Sequence, residues 1–228
     1  MKNKIENEKQ RAAYEAIRYV KDHMILGVGS GSTIKYFIKY LKDEVEDGLK
    51  IVVVPTSVDT KNLCLAYGIP VYEGDSVPAV IDLCVDGADE FDDNLNLIKG
   101  GGGALLWEKI VASAAKSVII ITDSSKHVKA LGQSFLLPVE VIPYALDSVK
   151  YKLEKMGISA KVRHKDDSVY RTDEGNDILD CETGPIEDAY TLAARISAIP
   201  GVVEHGIFLD MCDMVLQGTG DEVLLFKK

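Results

Sequence analysis

Between Asp86 and Lys109 the sequence collects groups suited to general acid–base chemistry on an anionic ligand. Asp86, Asp89, Glu90 and Glu108 are carboxylates, Lys99 and Lys109 are amines, and a run of four glycines, Gly100 to Gly103, separates them. A glycine run turns backbone N–H groups toward a ligand because no Cβ holds the ligand away. Where such a loop opens a helix, the unsatisfied N–H groups and the helix dipole favour negative charge. Glu108 stands in the helix predicted over 104–116, with Ala104, Ala112 and Ala115 as its i−4, i+4 and i+7 neighbours. Helical side chains lean toward the N-terminus, so its carboxylate is aimed back over the glycine run, as a general base would be. Trp107, Val111, Ala114 and Val118 form a separate apolar stripe, predicted to be the core face.

Three further stretches offer ligand contacts. Gly27-Val-Gly-Ser-Gly-Ser-Thr33 is not a dinucleotide fingerprint, because Ser32 stands where the third glycine is required, and it lacks the lysine of a nucleotide P-loop. What remains is a strand–loop–helix junction with three hydroxyls and bare backbone, suited to one phosphate group or, alternatively, an ordinary turn with hydroxyl caps. Asp86 and Asp89, at a strand end, read either as a capped turn or as a pair for hydroxyl binding and proton shuttling. Lys99 and Lys126 read as partners for a phosphate or an oxyanion.

The bulk properties narrow the partners. The chain has 228 residues, 46% hydrophobic and 27% charged, enough for one large or two small domains. A net charge of −10 argues against nucleic acid. No apolar run reaches the ~20 residues of a membrane span, and the charged opening decapeptide predicts no signal peptide. His23, His127, His164 and His205 are not at zinc-ligand spacing, so no metal is expected. Cys64, Cys84, Cys181 and Cys212 make no Cys-x-x-Cys and predict buried free thiols in a reducing cytoplasm.

These residues need elements to position them. Helices are predicted over 11–21, 34–41, about 58–67 and 104–116. Apolar strands are predicted over 24–28, 50–54, 80–85 and 117–121, with a brief one over 69–72. The alternation, with strands apolar on both faces, predicts an α/β fold with a buried parallel sheet. In such a sheet the polar turns 29–33, 55–57, 86–90 and 122–126 gather at one edge. Beyond about residue 131 the texture changes: strands over 138–143, 159–163, 169–172, 177–181 and 202–208, with helices over 144–156 and 185–199, predict a split βαβ insertion. The tail segments 214–217 and 223–226 are predicted to rejoin the main sheet. The domains expected are 1–130 plus 206–228, Rossmann-like, and 131–205, a smaller α+β, ferredoxin-like domain.

Taken together, Gly27-x-Gly-Ser-Gly-Ser-Thr33, Asp86-Gly-Ala-Asp-Glu90, Lys99-Gly-Gly-Gly, Glu108-Lys-Ile, Val139-Glu-Val-Ile-Pro143 and Ala198-Ile-Pro-Gly201 resemble ribose-5-phosphate isomerase of the A type, over nearly the whole chain. The resemblance implies interconversion of ribose 5-phosphate and ribulose 5-phosphate in the pentose phosphate pathway, without metal or cofactor. It also implies a homodimer or a dimer of dimers. By motif, Glu108 is the base between C2 and C1, completed by Asp86, Asp89 and Lys99. Ser30, Gly31, Ser32, Thr33, Gly87, Ala88, Gly100, Gly101, Gly102 and Lys126 line the substrate site. Two positions depart from the family: Ser30 replaces the usual Thr, and Trp107 replaces a common Arg. The competing readings are a non-catalytic sugar-phosphate sensor, an amino-sugar-phosphate deaminase, for which no suitably placed His is present, and a coenzyme A transferase.

Overall fold

The computed structural model describes residues 2–228. The chain divides into two compact units: one comprises the residues up to Ala88, Trp107–Lys126 and Asp210–Lys228, the other Asp89–Leu106 and His127–Leu209.

The first unit is built on β1 (Ile25–Val28), β2 (Val52–Pro55), β3 (Leu83–Asp86) and β4 (Val118–Asp123), joined by helices α1 (Lys2–Ile17), α2 (Ser32–Glu46), α3 (Val58–Ala66) and α4 (Leu105–Ala114). β4, β3, β1 and β2 are neighbours in that order and all parallel, so their C-terminal ends share one edge. Every residue of β3 and β4 is buried, which explains their uninterrupted apolar runs. One face of the sheet packs Leu26, Val28, Val85 and Ile119 against Ala12, Ala13 and Ala16 of α1 and Ile34, Phe37 and Leu41 of α2.

α1 starts nine residues before the predicted helix and ends four before its predicted end. Apolar periodicity begins only at Ala12; the first half is held by polar contacts that a period count does not see. Lys9 pairs with Glu6 at 2.8 Å, and the Tyr36 hydroxyl donates to Glu6 at 2.7 Å. Glu8 is fully buried and accepts from the Ser124 hydroxyl at 2.7 Å and the Gly220 N–H at 2.9 Å. Residues 69–72 form no strand, only a bridge between Val53 and Val71.

In the second unit, β5 (Leu137–Val141), α5 (Leu146–Lys155), β6 (Ser159–Val162), β7 (Asp177–Glu182), α6 (Ala189–Ser197) and β8 (Val202–His205) form an antiparallel sheet ordered β8-β5-β7-β6. This is the split βαβ order. Leu137, Val139, Leu179 and Cys181 face Val149 and Leu153 of α5 and Ile196 of α6. The predicted strand 202–208 is two strands. The chain bends at Gly206, and Ile207–Phe208 pairs instead with Leu97–Ile98, which also pairs with Glu90–Phe91. The predicted strand 169–172 is likewise shorter: Ser168–Val169 pairs with His164–Lys165 as a small hairpin outside the main sheet. The tail, β9 (Met214–Thr219) and β10 (Glu222–Lys227), returns to the first unit, with β9 parallel to β4 and β10 antiparallel to β9. The fold is therefore α/β, with a mostly parallel sheet and additional antiparallel sheets.

Candidate active site

In the first unit the edge formed by the C-terminal ends of β1, β2, β3 and β4 carries the polar turns. Asp86 ends β3 at 2% exposure, and its Oδ1 accepts from the N–H of Ser30 at 3.2 Å and of Gly87 at 2.7 Å. The two turns are thus joined directly. Gly29 makes the approach possible: a Cβ there would lie 1.7 Å from Asp86 Oδ1. The Ser30 hydroxyl donates to Ser57 Oγ at 2.8 Å and lies 3.0 Å from Thr56 Oγ1, while Thr60 Oγ1 donates to the Gly29 carbonyl at 2.8 Å. Thr56, Ser57 and Thr60, none of them among the predicted site residues, are tied to the β1 turn by this network. In sequence the signal is the polar turn 55–57 after β2, with Thr60 following in the first turn of α3.

Gly31, with φ of 101°, precedes the first turn of α2, where Ser32 and Thr33 begin the helix. This N-terminus has no side-chain cap. Its N–H groups therefore depend on water or an anion. At the end of β4, Asp123 accepts from the Ser125 N–H and hydroxyl, and the Lys126 N–H bonds the Asp123 carbonyl at 3.3 Å. Glu8 holds the same turn through Ser124. Burial acts to raise the Glu8 carboxyl, but hydrogen bonds from Ser124 and Gly220 keep it below the usual carboxylate range.

Glu108 lies in the first turn of α4 and is 5% exposed. α4 is set against the sheet by Val111, whose Cγ1 would lie 2.6 Å from a Cβ on Gly27 of β1. That close approach fixes the helix one turn beyond Glu108. The predicted core stripe needs correction here. Val111 and Val118 are buried, but Trp107 is only partly so. With Ile110, 41% exposed, and Val54, Tyr72 and Val111, Trp107 lines a groove of about 300 Å³. The buried side of α4's first turn is instead made by Leu105 and Glu108.

The second unit carries Asp89 and the glycine run. Asp89 Oδ2 accepts from the Gly101 N–H at 2.7 Å, and the Asp89 N–H bonds the Ile98 carbonyl at 2.8 Å. Lys99 is 3% exposed, its N–H bonds the Gly206 carbonyl at 2.9 Å, and its Nζ lies 5.5 Å from the centre of the Phe208 ring. Gly100 and Gly103, with φ of 101° and 84°, hold left-handed conformations that make the loop specific for glycine. The chain passes from the first unit to the second after Ala88 and back after Leu106. Among the described residues no cluster of three His, Cys, Asp or Glu side chains is arranged to hold a metal ion. No helix there is long and apolar enough to cross a membrane.

The family model for ribose 5-phosphate isomerase A (phosphoriboisomerase A) matches residues 52–222. The chain belongs to the ribose 5-phosphate isomerase A family. Ribose-5-phosphate isomerase A of Sphingopyxis alaskensis is 46% identical over 216 residues, covering 95% of this chain and 94% of that protein. The solved ribose 5-phosphate isomerase A of Methanocaldococcus jannaschii superposes with a TM-score of 0.91 at 43% identity, covering 96% and 98% of the two chains. A D-ribose-5-phosphate isomerase solved in complex with phospho-erythronic acid gives a TM-score of 0.94 at 40% identity, covering 98% and 99%. The Ser30 hydroxyl is used in the network with Thr56 and Ser57.

Proposed function

We propose that this chain interconverts ribose 5-phosphate and ribulose 5-phosphate, with Glu108 carrying the proton between C2 and C1. Family membership supports the reaction, as does the phospho-erythronic acid bound by a relative 40% identical. The observation that carries the assignment of the base is the burial of Glu108, at 5% exposure, in the first turn of the helix that follows the glycine run. A carboxylate fixed on a helix can act as general base toward a carbon-bound proton brought within its reach.

The aldose must first open. Asp86, fixed by two N–H donors, is the group assigned to proton transfer at the ring oxygen and hydroxyl, with Asp89 beside it in sequence. Removing the C2 proton produces an enediolate, whose negative oxygen calls for fixed donors; Lys99 and the N–H groups of Gly100 and Gly102 fill that role, while the Gly101 N–H is taken by Asp89. Ser30, Gly31, Ser32, Thr33 and Lys126 receive the phosphate, and Gly87 and Ala88 border the sugar. Holding the phosphate keeps the reacting carbons in register and lowers the entropic part of the barrier. We assign the reaction to the non-oxidative pentose phosphate pathway in the cytoplasm, which the four buried free cysteines suit. We take the working assembly to be a homodimer, or a dimer of dimers.

The test is direct assay of ribulose 5-phosphate formation, with and without chelator, for the natural chain and for Glu108→Gln. The substitution keeps size and should keep the melting temperature. It should lower kcat by about 10²–10⁴-fold, the span of a lost general base. Near-native turnover would remove Glu108 from the role.

A further inference from the structure

The glycine loop is held by one turn bond of its own and by side chains distant in sequence within the same unit. Arg163 follows β6 and uses its planar fork in two directions. Nε donates to Asp180 Oδ2 at 2.9 Å, and Nη2 donates to Asp180 Oδ1. Nη1 donates to two carbonyls at once, Gly100 at 2.9 Å and Gly101 at 3.1 Å. Beside it the Tyr170 hydroxyl donates to the Gly102 carbonyl at 3.1 Å. Three consecutive carbonyls of the loop are therefore held by two side chains of the same unit.

In a trans peptide the C=O and the following N–H point to opposite sides, and there is no cis peptide among the described residues. Fixing those carbonyls therefore fixes which way the next N–H groups face. The Gly101 N–H meets Asp89 Oδ2 at 2.7 Å, and the Gly103 N–H closes a turn on the Gly100 carbonyl at 3.0 Å. The Gly102 N–H, opposite the carbonyl that Arg163 holds, has no acceptor among the described residues. A Cβ on Gly102 would meet nothing within 4 Å. The loop at Gly102 is therefore uncrowded, and its N–H is not committed to a partner within the described residues.

We infer that Arg163, held by Asp180, is a positioning residue that presents the Gly102 N–H to the developing enediolate oxygen. The inference rests on the proposed isomerisation and assigns one donor within it. Asp180 matters because it orients the guanidinium and offsets its charge; the Arg163 side chain is only 13% exposed. Lysine cannot replace it, since an ammonium has no rigid fork to span a carboxylate and two carbonyls.

The experiment compares the full-length chain with Arg163→Lys, Asp180→Asn and Tyr170→Phe. It measures kcat and KM for ribose 5-phosphate, inhibition by phospho-erythronic acid, and the melting temperature. A donor that acts on the enediolate contributes most in the transition state, so Arg163→Lys should lower kcat by about 10–100-fold and change KM by less than about threefold. Phospho-erythronic acid carries a carboxylate where the enediolate would be, so its inhibition constant should rise with the loss of kcat. Tyr170→Phe, which removes one of three carbonyl ties, should lower kcat by roughly 3–10-fold at unchanged melting temperature; it carries the test if Arg163→Lys does not fold. A folded Arg163→Lys whose kcat stays within about twofold, or whose whole loss lies in KM, would overturn the inference. So would Tyr170→Phe with unchanged kcat if it is the only variant that folds. Absence of isomerase activity in the natural chain would instead overturn the functional proposal beneath it.

Discussion

Replacing Gly29 with alanine tests whether the β1 and β3 turns form one unit of machinery. Gly29 has no left-handed φ, so the backbone accepts alanine and the whole effect is spatial. The added Cβ would stand 1.7 Å from Asp86 Oδ1, 2.0 Å from its Cγ and 2.7 Å from its Cβ, where real contacts stay above 3.0 Å. The carboxylate must therefore retreat by about 1.3 Å, because everything it meets is its own rigid stem. That movement breaks the bonds from the Ser30 N–H at 3.2 Å and the Gly87 N–H at 2.7 Å. Hydrogen bonds to a charged acceptor contribute about 1.5–3 kcal/mol each, and overpacking costs roughly 1–3 kcal/mol. Since these terms are not additive, a loss of roughly 2–5 kcal/mol is expected. For a chain of this size that lowers the melting temperature by roughly 5–15 °C. A displacement near 1 Å of a reacting group costs about 10²-fold in kcat. Thermal unfolding and the ribulose 5-phosphate assay read the two effects separately. The double variant Gly29→Ala with Asp86→Gly removes the clash, so it should recover stability while remaining inactive. Gly29→Ala with unchanged melting temperature and kcat within about threefold of the natural chain would refute the reasoning. A double variant no more stable than the single one would do the same.

Three further outcomes follow from buried groups. Burial pushes the Glu140 carboxyl above its ordinary value, against the hydrogen bonds from Asn176 and Thr172. Its folded value thus exceeds the unfolded one near 4.5, and its contribution is full below that pH and lost as pH rises through the folded value. Glu140→Gln should therefore flatten the fall in melting temperature as pH rises above about 4.5, and an unchanged slope would contradict this. Glu8, held low, acts in the opposite window: its contribution is present above about 4.5 and lost as pH falls, so Glu8→Gln should lose stability at neutral pH and unfold less steeply in acid. Burial raises the thiols of Cys64 and Cys181 to about 12, and all four cysteines are buried. A thiol-reactive dye at about pH 8 should label the native chain only in trace and the denatured chain at all four positions. Rapid labelling of the native chain would show that these sites open.

Much of this protein is written locally. The continuous apolar runs at Leu83–Asp86 and Val118–Asp123 specify strands buried on both faces, and buried strands alternating with helices leave a parallel sheet as the packing that satisfies them. From that alone it followed that the turns after β1, β2, β3 and β4 would share an edge. The acids, the lysines and the glycine run were legible because their side-chain chemistry does not depend on the fold. Other features rest on partners distant in sequence. The first half of α1 is held by contacts from Tyr36, Ser124 and Gly220, which no periodicity within α1 records. The chain from Val202 to Phe208 is uniformly strand-like, yet it serves two sheets because Gly206 bends between them. Trp107 looked like core by spacing, but a helix face is buried only where another element covers it, and here it lines a groove. Arg163 sits 62 residues from the Gly101 carbonyl it holds, and nothing in its neighbourhood marks it. Composition and local pattern settled what the groups are and which elements carry them. Only the folded chain decided which distant backbone atoms those groups would hold, because a hydrogen bond is made by position in space and leaves no trace in sequence spacing.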